Sequence, residues 1–211
     1  MKPKRRRTLL APLERRRQLL AAATWVFARK GYRNSQISDV IARAGVARGT
    51  FYLYFKSKEQ IFLAIVEDFH GRIKAALVGA DLGAVQAQAA ASPRALLHAS
   101  ARRWIEFFAA HRDATTVILR EASSIDPRFE KGFADLRGSA VTFFAARFTR
   151  LQELGLANPS LAPEMVARLQ LGMFDELLTT YVLKDPAVNI DALADQLAEF
   201  EWNGIRADRR E

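Results

Sequence analysis

Between Gly31 and Lys58 the chain concentrates side chains that could bind an anion or a base edge. Arg48, Tyr52, Tyr54, Lys56 and Lys58 follow one another around Gly49. Guanidinium and ammonium groups neutralise phosphate, and phenol hydroxyls donate to phosphate and sugar oxygens, so the set suits a nucleic-acid backbone. Covalent chemistry has no comparable set. The absence of cysteine excludes a thiol nucleophile, a thiolate metal site and a disulfide scaffold. His70, His98 and His111 share neither the i, i+4 spacing nor the carboxylate arrangement of a metal site. No glycine-rich phosphate loop occurs, and no motif joins a nucleophile, a base and an orienting group. The reading is a protein that is not an enzyme and holds no metal or cofactor.

The elements that must position these side chains are short helices. Pro12 to Lys30 reads as a helix with Leu20, Ala23 and Phe27 on one face and Arg15, Arg16 and Arg17 at its start; Gly31 ends it. Ser35 is expected to cap a helix to Ala44, with Ile37, Val40 and Ile41 turned inward. Gly45 allows a tight turn, and a second short helix follows over about Ala47 to Leu53. Two short helices joined by a glycine turn make a helix-turn-helix, whose second helix enters the DNA major groove. Val46 and Phe51 hold the pair together, leaving Ala47, Arg48, Gly49, Thr50, Tyr52 and Tyr54 to face outward. Gly49 costs about 1 kcal/mol of helix propensity relative to Ala; close approach to DNA would explain that cost.

Charge follows the same division. Residues 1–58 carry 15 basic side chains against Glu14 and Asp39, a net +13, and the remaining 17 basic and 21 acidic side chains give −4, for +9 in 211 residues. A basic end on a mildly acidic body points to a polyanion, either nucleic acid or an anionic membrane surface. The longest uncharged stretch, Leu82 to Pro93, has 12 residues, short of the roughly 18 that would span a bilayer. Leu9 to Leu13 is too short for a secretory signal. The expected location is the cytoplasm, with association to the nucleoid when DNA is bound.

The run GYRNSQISDVIARAGVARGTFYLYFKSKEQIF, preceded by LLAAATWVF, resembles the N-terminal domain of the TetR family of bacterial transcriptional regulators. The likeness covers about residues 15–66 and includes Ala22-Ala23, Phe27, Gly31-Tyr32, Ala44-Gly45-Val46, Gly49-Thr50, Tyr52, Phe55, Lys58 and Glu59 in register. It implies a homodimer that reads a palindromic double-stranded operator, and a C-terminal helical domain that binds a small-molecule effector and releases the DNA. It also implies that Ala47, Arg48, Gly49, Thr50 and Tyr52 face the groove, that Tyr54 and Lys58 contact phosphates, and that Ser35 and Gln36 touch the backbone. Ile41 stands where the family usually has alanine, and Gln36 where it usually has threonine.

The whole chain reads as all-α: a flexible basic arm at 1–11, a three-helix DNA-binding domain at 12–56, and a larger helical bundle at 57–211 for ligand binding and dimerisation. Ser57 caps the first helix of the bundle, and residues 81–92 read as a loop or a frayed helix end. Further helices are expected over Pro93–His111, Asp113–Ser123, Pro127–Leu154, Pro163–Lys184 and Asp191–Ile205. The stretches ILREASSIDPRFEKGF and LGMFDELLTTYVLKDP resemble family members that respond to fatty acyl-CoA. Trp104, Phe107, Phe108, Phe144, Phe148, Met173 and Phe174 are either ligand-cavity lining or plain core, and Arg103, Arg120 and Glu121 could meet a polar head group. The helix from Pro163 is apolar nearly all round and needs cover on more than one side. Val166, Leu169, Leu177 and Tyr181, with Leu193, Leu197 and Phe200 from the last helix, are the expected dimer seam. The function expected is a ligand-responsive repressor. An effector-independent architectural DNA-binding protein is the alternative, and a membrane-docked carrier of apolar ligands is a third reading.

Overall fold

The computed structural model describes residues 11–78, 92–122 and 127–207. The basic arm and the stretch read as a loop lie outside these residues, apart from Ala11 and Ser92. The described chain is helical: α1 Pro12–Lys30, α2 Ile37–Ala44, α3 Arg48–Tyr54, α4 Lys58–Val78, α5 Pro93–Ala110, α6 Arg112–Ala122, α7 Pro127–Glu153, α8 Pro163–Leu177 and α9 Ile190–Ile205. A single antiparallel bridge joins Ala157 to Arg206, and the described residues form no strand. None of the helices is long and apolar enough to cross a membrane.

The first three helices close on aromatic side chains. Leu19, Ala23, Val26 and Phe27 of α1 are buried, and Phe51 and Phe55 bring α3 into the same core. Phe27, Tyr32 and Phe62 pack ring to ring at 4.8–6.0 Å, joining α1 and α4 through the turn after α1. Gly45 at the end of α2 has φ 65°, a left-handed conformation that only glycine adopts at no steric cost. Its N–H and that of Val46 return to the carbonyl of Ile41, so α3 starts at a fixed angle. Gln18 of α1 donates to the carbonyl of Ala44 at 2.8 Å and caps α2 from outside.

One expected cap is different. Ser35 is 3% exposed and its hydroxyl donates to the carbonyl of Tyr32 at 2.8 Å. Gln36 takes the cap position of α2, and its N–H is held by the Asp39 carboxylate at 2.9 Å. The nearer carbonyl won the serine hydroxyl, because the turn after Gly31 folds back on itself. Ser57 does cap α4, accepting from Gln60 N–H at 3.2 Å.

In the larger body α5 packs along α9 and α7 along α8. The last turn of α8 widens into a π-helical turn, Leu178–Val182, and Arg112 at the start of α6 donates to the carbonyls of Val182 and Asp185. A cation there satisfies carbonyls that the helix leaves without partners. A polar cluster sits among the apolar contacts. Glu201 of α9 is 4% exposed and Gln170 of α8 3%; Glu201 feels the positive charge of Arg147 of α7, and one side-chain oxygen each of Glu201 and Gln170 has no hydrogen-bond partner among the described residues. Arg147 in turn donates to Ser100 of α5. Desolvation pushes the Glu201 carboxyl up from its ordinary value and the Arg147 guanidinium down, each opposed by the charge of the other.

Removing the Glu201 carboxylate takes away the charge that offsets Arg147. Glu201→Ala should lower the unfolding free energy by about 1–3 kcal/mol, read from urea denaturation at neutral pH. A midpoint equal to that of the native chain would contradict a cluster that holds four helices together.

Candidate nucleic-acid interface and ligand cavity

The outer face of α3 is built by elimination. Phe51 is fully buried and Phe55 is 2% exposed, so the remaining side chains of the helix turn away from the core. Ala47, Arg48, Gly49 and Tyr52 are exposed, and Thr50 and Tyr54 are half-buried. The Arg48 guanidinium lies 5.8 Å from the centre of the Tyr52 ring. Between α3 and the start of α2 a depression is lined by Gln36, Ser38, Ile41, Arg48, Tyr52 and Lys58. Other arginines of the first three helices lie over aromatic rings. Arg16 lies 5.4 Å from the Phe55 ring centre, and Arg29 and Arg43 lie 4.1 and 4.4 Å from that of Trp25.

Lys58 and Ser35, both expected at the DNA backbone, have internal partners here. The Lys58 ammonium donates to the carbonyls of Tyr32 and Ser35 at 2.8 and 2.9 Å and reaches that of Arg33 at 3.5 Å. It also lies 4.4 Å from the centre of the Tyr32 ring. It therefore ties the first turn of α4 to the segment that leads into α2. Ser35 faces inward beside it. Lys30 holds the Asp39 carboxylate at 2.6 Å, which with the Gln36 N–H keeps that carboxyl below its ordinary value.

Leu53 was not among the expected contacts, although it is 82% exposed in the middle of this face. In the sequence it sits inside the apolar run FYLYF, where its type argues for core and only its angular position on the helix argues against.

A second feature lies in the larger body. A cavity of about 410 Å³ opens between α4, α5, α6, α7 and α8. Four of the expected ligand residues, Trp104, Phe108, Phe144 and Phe174, line it. Trp104 stacks on Phe108 and Phe144 at 5.6 and 5.4 Å. The other expected residues lie elsewhere. Phe107 and Arg103 border a separate small void with Ile73 and Trp104. Phe148 belongs to the second core cluster, with Leu97 and Leu151. Met173 packs half-buried against the main core. Arg120 donates to the carbonyl of Phe27 in α1 at 3.4 Å, and the Glu121 side chain lies outside the described residues. Sequence reading missed Phe69 and Ile73 of α4 and Arg137 of α7 as cavity lining. Asp175 lines it too and pairs with Arg137 at 3.0 Å. Desolvation raises the Asp175 carboxyl above its ordinary value in spite of that partner.

Of the expected seam residues, Leu169, Tyr181 and Phe200 are exposed by 61, 52 and 69%. Leu177 and Leu193 are half-buried. Val166 and Leu197 lie in the chain's own core.

A helix-turn-helix with a basic surround, mounted on a helical body that holds an apolar cavity, is the architecture of a DNA-binding transcriptional regulator. Residues 19–65 match the family described as bacterial regulatory proteins, tetR family. It is 29% identical over 178 residues to the HTH-type transcriptional regulator YdgC of Bacillus subtilis (strain 168), covering 83% of this chain and 86% of that protein. Over 188 residues it is 25% identical to the fatty acid metabolism regulator protein of the same strain, 89% of this chain and 94% of that one. Its fold is similar to the structure of the regulator FadR from Bacillus subtilis in complex with stearoyl-CoA: TM-score 0.70, 24% identity, covering 90% of this chain and 98% of that chain.

Lys58→Met keeps the length of the side chain and removes its donors. It should cost about 1.5–3 kcal/mol of stability in chemical denaturation, since the carbonyls of Tyr32 and Ser35 lose a charged partner. Unchanged stability would mean that the ammonium does not hold this turn.

Proposed function

We propose that the chain is a repressor that binds a palindromic operator as a homodimer and is released by an apolar or amphiphilic effector, a fatty acyl-CoA. The DNA-binding unit is residues 12–56 and the ligand and dimer unit begins at 57. Arg48, Tyr52 and Thr50 read or flank base edges, Ala47 and Gly49 allow close approach, and Gln36 and Tyr54 meet the backbone. Lys58 and Ser35 act one step back, by setting the turn from which α2 starts. The exposed Leu169, Tyr181 and Phe200 on α8 and α9 form the seam with a second copy.

The observation that carries this reading is the double attachment of α4. Its first residue, Lys58, grips the turn that precedes α2. Its later turns supply Phe69 and Ile73 to the cavity wall. An effector that fits one arrangement of that wall better than another biases α4, and through Lys58 the separation of the two recognition helices. The apolar lining suits an acyl chain, and the charges on the wall, Arg137 and Asp175, are paired with each other. The names of the similar proteins, a fatty acid metabolism regulator and a stearoyl-CoA complex, support the same effector class.

Selection from random duplexes should return a palindromic sequence bound far more tightly than a scrambled one, with affinity falling steeply as salt rises. Arg48→Ala should then cost about 1–3 kcal/mol on the selected duplex and little on the scrambled one. Equal affinity for both duplexes would remove the operator reading. An equal loss on both would make Arg48 a phosphate contact.

A further inference from the structure

Two residues in the middle of the outer face of α3 work against the fold. Leu53 is the most exposed large apolar side chain among the described residues, at 82%. It contributes nothing to the core and presents apolar surface to water. One turn before it, Gly49 has no positive φ, and a Cβ added there would meet nothing within 4 Å. Alanine would fit in the free chain and would raise helix propensity. Neither residue is explained by the chain's own packing. Both lie two positions from the buried Phe51, one on each side. With about 3.6 residues per turn, this places them together on the side of α3 opposite the core.

The surroundings identify what covers this face. Arg48 and Tyr52 flank it, Gln36 and Lys58 share a depression with them, and Lys56 follows three residues after Leu53, exposed. Residues 1–58 carry the net +13 of the sequence. An apolar centre in a cationic rim complements the major groove of duplex DNA. Its floor carries an apolar group in only one place, the C5-methyl of thymine. We propose that Leu53 is a specificity-determining residue that packs on a thymine methyl in each half-site, and that Gly49 is glycine so that α3 can come close enough for that contact. This rests on the operator reading above and goes further in assigning one base to one side chain.

Deoxyuridine in place of thymine removes the methyl and leaves the Watson–Crick edge intact. On the selected duplex, one thymine per half-site should stand out. Its replacement should weaken binding about fourfold, the effect of losing one buried carbon, and replacing both symmetry mates should multiply the loss. Leu53→Ala should bind the thymine and uracil duplexes equally, with unchanged circular dichroism. Gly49→Ala should raise thermal stability, lower affinity and shrink the thymine-to-uracil difference. A half-site with no thymine, a thymine-to-uracil difference that survives Leu53→Ala, or a Gly49→Ala variant that binds as tightly as the native chain would overturn the inference while leaving the operator reading intact. So would a drop in the mass of the free protein on Leu53→Ala, since the face would then be a contact between copies. Loss of all preference for the selected duplex in the native chain would instead overturn the operator reading itself.

Discussion

The ammonium of Lys58 sits where the two halves of the molecule meet, and the rest of the arrangement depends on it. Its protons go to backbone carbonyls of the turn between α1 and α2. Within the turn the Tyr32 carbonyl also accepts from the Ser35 hydroxyl. A lysine at the first position of α4 adds a charged donor to that carbonyl and to the one of Ser35, and in doing so it ties α4 to the place where α2 begins. Gly45 then fixes where α3 points. The orientation of the outward face of α3 is therefore set at two backbone joints, and one of them is held by a side chain from the helix that walls the cavity.

The larger body supports that helix by a different route. Phe69 of α4 packs on Phe107 and Phe108 of α5 at 5.8 and 5.9 Å and on the His111 ring at 6.5 Å. Further contacts cross to α1: Arg29 pairs with Asp113 at 3.1 Å, and Arg120 reaches the carbonyl of Phe27. A shift of the cavity wall thus has a packed route to the DNA-binding helices through both α4 and α6. The Arg147–Glu201–Gln170 cluster lies away from this route among α5, α7, α8 and α9, and the Arg112 cap ties the start of α6 to the turn after α8. In the proposed switch, a frame of this kind would confine the response to the helices that touch the cavity on one side and the turn before α2 on the other.

Much of this was legible in the residues themselves. The span of α1, Pro12 to Lys30, follows from its apolar stripe and from Gly31. The two short helices and their turn follow from Gly45 and from the inward positions of Val40 and Phe51. Local rules failed where two candidates competed for one partner. The Ser35 hydroxyl had a carbonyl nearer than the α2 cap, and the Lys58 ammonium had carbonyls within reach before any phosphate. Leu53 was hidden by its type, since a leucine between tyrosines reads as core until its angle around the helix is set against Phe51. The cavity was half visible. Trp104, Phe108, Phe144 and Phe174 stood out as aromatic stripes, but Phe148, on the same helix as Phe144, turns to another cluster. Phe69, Ile73 and Arg137 join the wall only because α4 and α7, far apart in sequence, pack side by side, and no spacing within one helix encodes that.

The central claim is that the cavity and the outer face of α3 are two ends of one equilibrium. Linkage makes that claim reciprocal: whatever factor an effector imposes on DNA affinity, the DNA must impose on effector affinity. Titration of a long-chain acyl-CoA into the protein by calorimetry, with and without saturating selected duplex, measures it directly. Acyl-CoA should bind more weakly in the presence of the duplex, by the same factor by which acyl-CoA weakens duplex binding. Identical acyl-CoA affinity with and without the duplex would contradict it.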